Sequence, residues 1–468
     1  MQALASALAL RVVPVMGAGG VLTGEEIGER HTRDWTGASG SPEAVLRPRS
    51  TAEVAVIMRE ASVLGQTIVV QGGMTGLVQA SLPCPGEMVL SLDLLTGIEE
   101  IDPERGTMLV RAGTPLQVVQ EAAEAQDLFF PVDLGARGSA QIGGLIATNA
   151  GGNRVLRYGM TRQSVLGLEV VLPDGRVVSH LQGLVKDNAG YDLKHLFIGA
   201  EGTLGVITRA RLQLQPLPKS RETALVAVPD FTAARDLLRL SRHELGPSLT
   251  SFEAMWPGFH HCVTQELGIA RAPFGQKGAI LILIEAMGFR GMDLKSAVED
   301  MLAGFLETHP AAEAIVARSL AEANTFWRMR DSSGEAAQAI APFAGFDISL
   351  PIAEMEGWIA EMEHALAARG VAAIQIYGHL GDGNLHLVAG LADLDPGQRS
   401  GLYEMVHRSV GRRGGSISAE HGIGMSKRAH LPFCRSQEEI AVMKHIKNAL
   451  DPDCLLNRGR IFDMGGIS

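Results

Sequence analysis

Glycine-rich loops that follow apolar strands constrain this chain more than any other feature. Three runs in the first half of the sequence have this character, at 69–76, 133–152 and 199–208. Glycine adopts positive φ at low cost and lets a ligand approach the backbone closely, so such loops can direct several N–H groups at one anion. Together the runs predict an elongated, phosphate-bearing ligand. For the first run alone, a tight loop without a ligand is the alternative.

The motifs of the commonest nucleotide sites are missing from these runs. None has the G-x-G-x-x-G spacing of a dinucleotide-binding unit, and the chain has no G-x-x-x-x-G-K-[ST] loop. The 41 Lys and Arg against 52 Asp and Glu give a net charge of −11 without a basic block, which argues against nucleic acid as a partner. The longest apolar run, 279–284, is far shorter than the about 20 residues that a membrane span needs.

Cysteine usage and the N-terminal sequence bear on the compartment. Cys84, Cys262, Cys434 and Cys454 lie far apart and form no C-x-x-C pair, which is typical of a protein in a reducing compartment. The first ten residues are apolar but lack the positively charged segment of a targeting peptide. We therefore expect a cytoplasmic protein.

Strand and helix signals divide the chain into three parts. Ser50-Thr51-Ala52-Glu53 is a capping box that predicts a helix to about Leu64. The prolines at 216 and 218 mark a boundary, beyond which the pattern predicts a second α+β unit with a sheet backed by helices. The predicted parts are 1–218, 219–418 and 419–468, the last of which is expected to return to the first. Strands are predicted at 67–70, 88–92, 107–110, 166–172, 205–214, 223–228 and 279–285, and helices at 231–243, 292–306 and 438–450.

Histidines and a carboxylate form a second chemical signal in the C-terminal half. His379 and His386 are seven residues apart and would face opposite sides of one straight strand, but Gly381-Asp382-Gly383 supplies a turn that can bring both rings together. Glu420 and His421 follow some thirty residues later. Two histidines and one glutamate with an open position suit a divalent metal such as Zn²⁺, Mn²⁺ or Fe²⁺.

These runs resemble the FAD-binding domain of the flavoproteins typified by vanillyl-alcohol oxidase, and specifically the branch of D-lactate and D-2-hydroxyglutarate dehydrogenases. The resemblance extends over 34–457 and is most specific at 131–158, 186–193 and 196–205. It implies an α+β fold with a two-part FAD-binding domain, an α+β substrate (cap) domain with an antiparallel sheet, and a helical C-terminal segment. No histidine lies between Arg33 and Leu134, so we expect the FAD to be bound non-covalently.

The resemblance also implies which residues bind FAD. Those expected to hold the pyrophosphate are Gly72, Gly73, Thr75, Gly76 and Leu77. Those expected to line the second side of FAD are Ser139, Gly143, Gly144, Thr148 and Asn149, with Glu201, Gly202 and Ile207 at the adenine end or in the strand beneath it. The chain departs from the family at Met74, where Asn is usual, and at Gln79, where Gly is usual.

By the same resemblance, His379, His386 and Glu420 hold the metal and His421 is the catalytic base. Arg330, in the run Trp327-Arg328-Met329-Arg330, is expected to bind the substrate carboxylate through its guanidinium fork. The reaction implied is oxidation of a D-2-hydroxy acid by hydride transfer to flavin.

Three positions bear on the substrate. Members of the branch that are specific for hydroxyglutarate carry Thr, Lys and Asn where this chain has Gly334, Gly345 and Val388. Burying a second carboxylate without a cation costs several kcal/mol. We therefore expect D-lactate or another monocarboxylic D-2-hydroxy acid, with D-2-hydroxyglutarate as the alternative.

Other functions and partners stay open at this stage. A flavin-free metal-dependent hydrolase could use the same histidines and glutamate, and a non-catalytic FAD-binding protein is a third reading. The resemblance favours a dehydrogenase whose electrons pass to an electron-transfer flavoprotein, a quinone or a cytochrome. The sequence does not fix the oligomeric state, and a homodimer is among the assemblies it allows.

Overall fold

The computed structural model describes residues 2–17, 19–275, 278–391 and 395–464. The chain forms two units, of which the first comprises Met1–Gly152, Gly159–Leu217 and Glu420–Ser468. The second comprises Asn153–Tyr158 and Pro218–Ala419. Every helix among the described residues is too short or too polar to span a lipid bilayer.

Among the described residues of 1–217 there are eleven strands and six α-helices. The strands are β1 (Val21–Leu22), β2 (Val45–Leu46), β3 (Ile68–Gln71), β4 (Met88–Ser91), β5 (Ile98–Asp102), β6 (Thr107–Arg111), β7 (Leu128–Phe129), β8 (Val165–Val171), β9 (Val177–His180), β10 (Val206–Gln213) and β11 (Gln215–Pro216). The helices are α1 (Gln2–Met16), α2 (Thr51–Leu64), α3 (Leu116–Glu124), α4 (Ile142–Thr148), α5 (Val155–Tyr158) and α6 (Lys194–Phe197), and α5 belongs to the second unit.

The part of 218–468 that the structure describes adds seven strands and eight α-helices. The strands are β12 (Ser220–Val228), β13 (Leu249–Met255), β14 (Ile280–Gly288), β15 (Glu313–Val316), β16 (Phe343–Ser349), β17 (Ile374–Gly378) and β18 (Asn384–Gly390). The helices are α7 (Phe231–Leu245), α8 (Pro257–His261), α9 (Leu294–Thr308), α10 (Leu320–Asp331), α11 (Ser333–Ala339), α12 (Ile352–Ala367), α13 (Pro396–Arg412) and α14 (Gln437–Leu450), the last in the first unit.

The first unit contains two main sheets. A four-stranded sheet has the order β1-β2-β4-β3, in which β2, β4 and β3 are parallel. A five-stranded antiparallel sheet has the order β5-β6-β10-β8-β9. Apolar side chains from both sheets and from α2, α3 and α4 form one core. The α+β class and the two-part FAD-binding architecture expected from the sequence are confirmed.

Helix α2 forms for the reason that the capping box predicts. The Ser50 hydroxyl accepts a hydrogen bond from the Glu53 N–H at 3.2 Å, and the Glu53 carboxylate accepts one from the Arg49 N–H at 2.7 Å. The helix ends at Gly65, whose φ of +67° only glycine adopts without strain. The buried face of α2 joins the core of the first unit. The next element in the chain is β3, which leads directly into the first glycine-rich loop.

The second unit is built on one antiparallel sheet of seven strands. Its order is β15-β12-β14-β13-β17-β18-β16, as the resemblance implied for the cap domain. Side chains from α10 and α11 pack on one face of this sheet, over Leu225, Leu283 and Val388. The polar side chains of the candidate site, described below, lie on the same face of the sheet. Side chains alternate between the two faces along a strand, and each of these residues is an even number of positions from an apolar residue of this face.

The C-terminal segment packs into the first unit beside β3. The Leu455 carbonyl accepts a hydrogen bond from the Ile68 N–H at 2.8 Å, and the Asn457 N–H donates to the Ile68 carbonyl at 2.9 Å. These bonds extend the sheet by one parallel bridge between Ile68 and Leu456. The segment is thus tied to the strand that carries the first glycine-rich loop.

Candidate active site

The first two glycine-rich runs lie directly against each other. A Cβ atom on Gly73 would come 1.9 Å from the Ser139 carbonyl oxygen, a distance that no side chain tolerates. A Cβ on Gly72 would lie 3.8 Å from the Cα of Gly144. Glycine at 73 is therefore required by the close approach of two backbones. The loop after β3 and the loop that opens α4 form one cradle.

The third run joins this cradle at the other end of α4. The N–H of Gly199 donates to the Ile146 carbonyl at 3.0 Å, and the N–H of Glu201 donates to the Ala147 carbonyl at 2.8 Å. A Cβ on Gly202 would lie 3.7 Å from the Cβ of Val70, on β3. All three runs that the sequence singles out therefore meet in the first unit.

The residues predicted to bind FAD are distributed over this cradle as follows. Gly72, Gly73, Thr75, Gly76 and Leu77 form the loop after β3; Ser139 precedes α4; Gly143, Gly144 and Thr148 belong to α4; Asn149 caps it with φ +50°; Glu201 and Gly202 lie between α6 and β10; and Ile207 lies on β10. The structure therefore brings together all the predicted FAD residues.

The cradle fits a large polar ligand on two further observations. No atom lies within 4 Å of the positions that a Cβ would take on Gly76 and Gly144, so the backbone there is open to approach. Gln141 is buried, and its Oε1 atom has no hydrogen-bond partner among the described residues. An unsatisfied buried acceptor beside Gly72 costs free energy unless a bound group donates to it.

The side chain of Glu201 has a structural role that sequence reasoning missed. Its two carboxylate oxygens accept hydrogen bonds from the N–H groups of Ile423 and Gly424, at 2.7 and 2.8 Å. Burial raises the pKa of Glu201 above its ordinary value, and these two N–H groups oppose the shift. The carboxylate therefore holds the loop that carries Glu420 and His421. Contact between residue 201 and FAD stays a prediction, and it would involve the backbone of this residue.

Met74 and Gln79, the two departures from the family pattern, share one backbone feature. Met74 has φ of 57° and Gln79 has φ of 60°, both in the left-handed region. Asn and Gly are the residues that adopt this region most readily, which explains why they are usual there. The chain keeps the loop conformation at a cost in strain.

In the second unit, the predicted turn brings the two histidines together. His379 directly follows β17, and His386 lies on β18; the turn at 379–383 joins these strands. The ring centroids of the two histidines are 5.6 Å apart, with the planes at 76°. The N–H groups of Asp382 and Asn384 both donate to the His379 carbonyl, which fixes the turn.

Each histidine directs its Nδ1 atom toward a carboxylate. His379 Nδ1 lies 2.9 Å from Glu253 Oε1, and His386 Nδ1 lies 3.9 Å from Asp347 Oδ1. The carboxylate of Asp382 accepts a hydrogen bond from the Asn384 N–H at 3.3 Å, within the turn. Sequence reasoning missed both Glu253 and Asp347.

The carboxylate of Glu253 also binds the predicted substrate clamp. Arg330 Nε donates to Glu253 Oε2 at 2.9 Å, and the guanidinium carbon lies 5.0 Å from the centre of the Tyr377 ring. Burial raises the pKa of Glu253, but the neighbouring His379 and Arg330 outweigh this and keep the pKa below its usual value. Arg330 is buried, whereas Arg328 is exposed, as expected for the weaker candidate.

Glu420 and His421 belong to the first unit and open its C-terminal segment. One carboxylate oxygen of Glu420 accepts a hydrogen bond from the Gly152 N–H at 2.7 Å, at the end of the second glycine-rich run. The residue before them, Ala419, belongs to the second unit, where its N–H donates to Asp347 Oδ2 at 3.1 Å. Within the second unit, the carboxylate near His386 therefore also holds the backbone at Ala419.

Two of the three predicted pocket positions form a pair across neighbouring strands. Gly345 on β16 lies opposite Val388 on β18, two residues along the strands from the pair Asp347 and His386 and on the same face. Gly345 is exposed, and a Cβ added to it would meet no atom within 4 Å. Gly334 lies within α11.

Comparison with known proteins agrees with this architecture. A family model described as FAD binding domain matches residues 42–180, and one described as FAD linked oxidases, C-terminal domain, matches residues 217–461. The D-2-hydroxyglutarate dehydrogenase of Xanthomonas citri pv. viticola is 36% identical over 448 residues, which cover 93% of this chain and 92% of that protein. The chain belongs to the FAD-dependent D-2-hydroxyacid dehydrogenase family.

A second relative and a solved structure extend the comparison. The D-2-hydroxyglutarate–pyruvate transhydrogenase of Saccharomyces cerevisiae is 35% identical over 426 residues, which cover 89% of this chain and 86% of that protein. The crystal structure of p-cresol methylhydroxylase with substrate bound has a TM-score of 0.79 at 14% identity, covering 100% of this chain and 99% of that one. The latter likeness supports the fold alone. The expectations of an FAD-linked enzyme and of this family are confirmed.

Proposed function

We propose that this family member oxidises a D-2-hydroxy acid to the 2-oxo acid with the help of a divalent metal held by His379, His386 and Glu420. The observation that carries the proposal is the buried chain of contacts from Arg330 through Glu253 to His379. It joins a carboxylate-binding group to a metal-binding group on one face of a sheet. Such a pairing suits a substrate with a carboxylate beside the reacting hydroxyl.

The donor set suits a divalent transition metal. A metal-binding histidine usually directs its second ring nitrogen at a carboxylate, which fixes the tautomer and the ring orientation. His379 Nδ1 is hydrogen-bonded to a carboxylate, so Nε2 is the atom of His379 that would coordinate, and Asp347 lies 3.9 Å from His386 Nδ1. A bound cation would lower the pKa of the substrate hydroxyl.

The remaining roles follow from the side chains themselves. Because Arg330 gives its Nε–H to Glu253, the two terminal nitrogens Nη1 and Nη2 are the pair that would bind the α-carboxylate. His421 is proposed as the base that accepts the hydroxyl proton, because histidine is the side chain that most often serves as a general base. Bound FAD supplies the hydride acceptor.

D-2-hydroxyglutarate is the first candidate substrate. Its support is the similarity, over nearly the whole chain, to proteins named D-2-hydroxyglutarate dehydrogenase from bacteria, plants and animals. This differs from the monocarboxylic acid that we expected from the sequence. In that case, the second carboxylate of D-2-hydroxyglutarate would be bound by a group other than the side chains at 334, 345 and 388.

A monocarboxylic D-2-hydroxy acid such as D-lactate is the second candidate. It is favoured by the pair of Gly345 and Val388, which offers neither a cation nor a side-chain donor on the face that carries His386. The yeast relative is named for pyruvate as well as for D-2-hydroxyglutarate.

Anaerobic reduction of the protein-bound flavin tests the proposal and separates the candidates. We expect reduction by D-2-hydroxyglutarate, D-lactate or both, and none by the L-enantiomers. No reduction by any D-2-hydroxy acid in a panel of chain lengths would contradict the proposed function. A preference for D-lactate in kcat/KM would replace the first candidate by the second.

A gain-of-function variant sharpens the substrate test. Gly345→Lys adds a cation at an unobstructed position, and a hydrogen bond to a charged group contributes about 1.5–3 kcal/mol. We expect kcat/KM for D-2-hydroxyglutarate relative to D-lactate to rise at least about tenfold. Gly345→Met, which has a similar length and no charge, is the matched control. Equal ratios in both variants would show that this position does not face the substrate.

The acceptor and the assembly stay predictions. An electron-transfer flavoprotein, a quinone and a cytochrome are the acceptors expected from the resemblance, and the name of the yeast relative adds a 2-oxo acid such as pyruvate to the compounds that deserve testing. Reoxidation of the reduced flavin by each acceptor class would distinguish them. The cytoplasmic location and a homodimer are likewise untested.

A further inference from the structure

Glu253 is a buried carboxylate in the middle of the seven-stranded sheet. It lies on β13, between β14 and β17, and only 1% of its side chain is exposed. A charge at such a depth is costly unless its oxygens are paired. Both oxygens are paired, each with the nitrogen of a different side chain: Oε2 with Arg330 Nε and Oε1 with His379 Nδ1.

The two contacts fix two separate geometries. The hydrogen bond from Nε fixes the direction in which the edges of the Arg330 guanidinium point. The Tyr377 ring, 5.0 Å from the guanidinium carbon, packs against one face of the group. The bond to Nδ1 places the ring proton of His379 on that atom and leaves Nε2 as the acceptor nitrogen. One carboxylate thus orients both the substrate clamp and a proposed metal ligand.

The carboxylate that faces His386 is connected differently. Asp347 accepts from the Asn384 side chain at 2.9 Å and from the Ala419 N–H at 3.1 Å. Its contacts support the turn and the backbone at Ala419. Glu253, in contrast, contacts both a proposed metal ligand and the arginine.

We propose that Glu253 is a positioning residue that couples metal binding at His379 to substrate-carboxylate binding at Arg330. The inference rests on the proposed function, since it needs a metal at His379 and a substrate at Arg330. It predicts that one substitution at 253 weakens two different binding events.

Glu253→Gln is the direct test, because it keeps the shape and removes the charge. An amide can accept from one partner through its oxygen, but its NH₂ group then faces an N–H of the other. We expect metal affinity, measured by dialysis against Zn²⁺ followed by metal analysis, to fall about 10- to 100-fold. KM for the hydroxy acid should rise by a similar factor, with the flavin content unchanged.

Glu285→Gln is a matched control on the neighbouring strand. Glu285 is equally buried on β14 and is also paired, with Arg221 Nε at 2.5 Å and Trp327 Nε1 at 2.8 Å, but neither partner is a proposed ligand. We expect it to lose stability as Glu253→Gln does while keeping metal affinity and KM near the parental values. Equal losses of metal in both variants would show that Glu253 acts only through stability and would overturn the proposal.

Glu253→Asp is a second variant that tests the same proposal if Glu253→Gln does not fold. Its carboxylate is one methylene shorter and cannot reach both partners, so either metal affinity or KM should suffer. Parental values of both, in either variant, would overturn the coupling. If the parental protein itself binds no stoichiometric metal, the proposed metal site fails, and KM alone then decides whether Glu253 orients Arg330.

Discussion

Backbone strain at single residues is the clearest residue-scale feature of the FAD cradle. Met74 and Gln79 hold left-handed φ values of 57° and 60° on either side of Thr75–Val78. Removing the strain should stabilise the protein by about 1 kcal/mol at each site, since the left-handed conformation costs roughly 1–2 kcal/mol for a residue with a Cβ. Urea unfolding of Gln79→Gly and Met74→Asn measures this directly.

A neighbouring position provides the control for these variants. Ala80 lies next to Gln79 but has no positive φ. Ala80→Gly should therefore destabilise by about 0.5–1 kcal/mol, because it only increases the freedom of the unfolded chain. If Gln79→Gly lowers the free energy of unfolding as much as Ala80→Gly does, the strain is not stored at Gln79.

At the scale of elements, the sequence predicts those that have strong local signals. The capping box gave α2 from Thr51 to Leu64, and the Gly-Asp-Gly run gave the turn between β17 and β18. Strand β13 was missed, because its seven residues Leu249–Met255 mix Thr, Ser and Glu with apolar side chains and yet are all buried. Its central place in the sheet, which sequence periodicity does not reveal, is what buries Glu253.

The partners of the site residues show the same limit. Arg330, His379 and His386 stand in recognisable runs, but Glu253 contacts Arg330 and His379 from 77 and 126 residues away. Asn457 likewise reaches β3 from 387 residues away. Pairings at such separations depend on the tertiary fold, so no local pattern announces them.

The contact of Asn457 yields an element-scale prediction. Its Oδ1 accepts from the Val70 N–H at 2.9 Å and its Nδ2 donates to the Glu201 carbonyl at 2.6 Å, so it joins the C-terminal segment to two glycine-rich runs. Asn457→Ala leaves the buried Glu201 carbonyl and the half-buried Val70 N–H unsatisfied, and an unsatisfied buried group costs about 1–3 kcal/mol. We expect a loss of about 2–4 kcal/mol in unfolding free energy and a lower flavin-to-protein ratio after gel filtration.

Asn448→Ala is the control for this variant. Asn448 lies on the same C-terminal segment, within α14, and is exposed. It should keep both stability and flavin content within error of the parental protein. A parental flavin ratio in Asn457→Ala would mean that the segment does not support the cradle.

At the scale of the whole molecule, the two proposed binding functions are built mostly from different parts of the chain. The three glycine-rich runs belong to the first unit, whereas His379, His386 and Arg330 belong to the second; of the three proposed metal ligands, Glu420 alone belongs to the first. The core of the first unit includes no residue of the second unit's sheet. FAD retention should therefore not depend on the metal.

Removal of the metal tests this independence. After dialysis against a chelator, we expect the protein to keep its flavin through gel filtration but to lose at least about 100-fold in the rate of flavin reduction by its D-2-hydroxy acid, since a metal contributes several kcal/mol to such a step. Dithionite should still reduce the flavin, and added Zn²⁺, Mn²⁺ or Fe²⁺ should restore the rate. Flavin release together with the metal would show that the sites are coupled, whereas an unchanged rate would remove the metal from the proposed reaction.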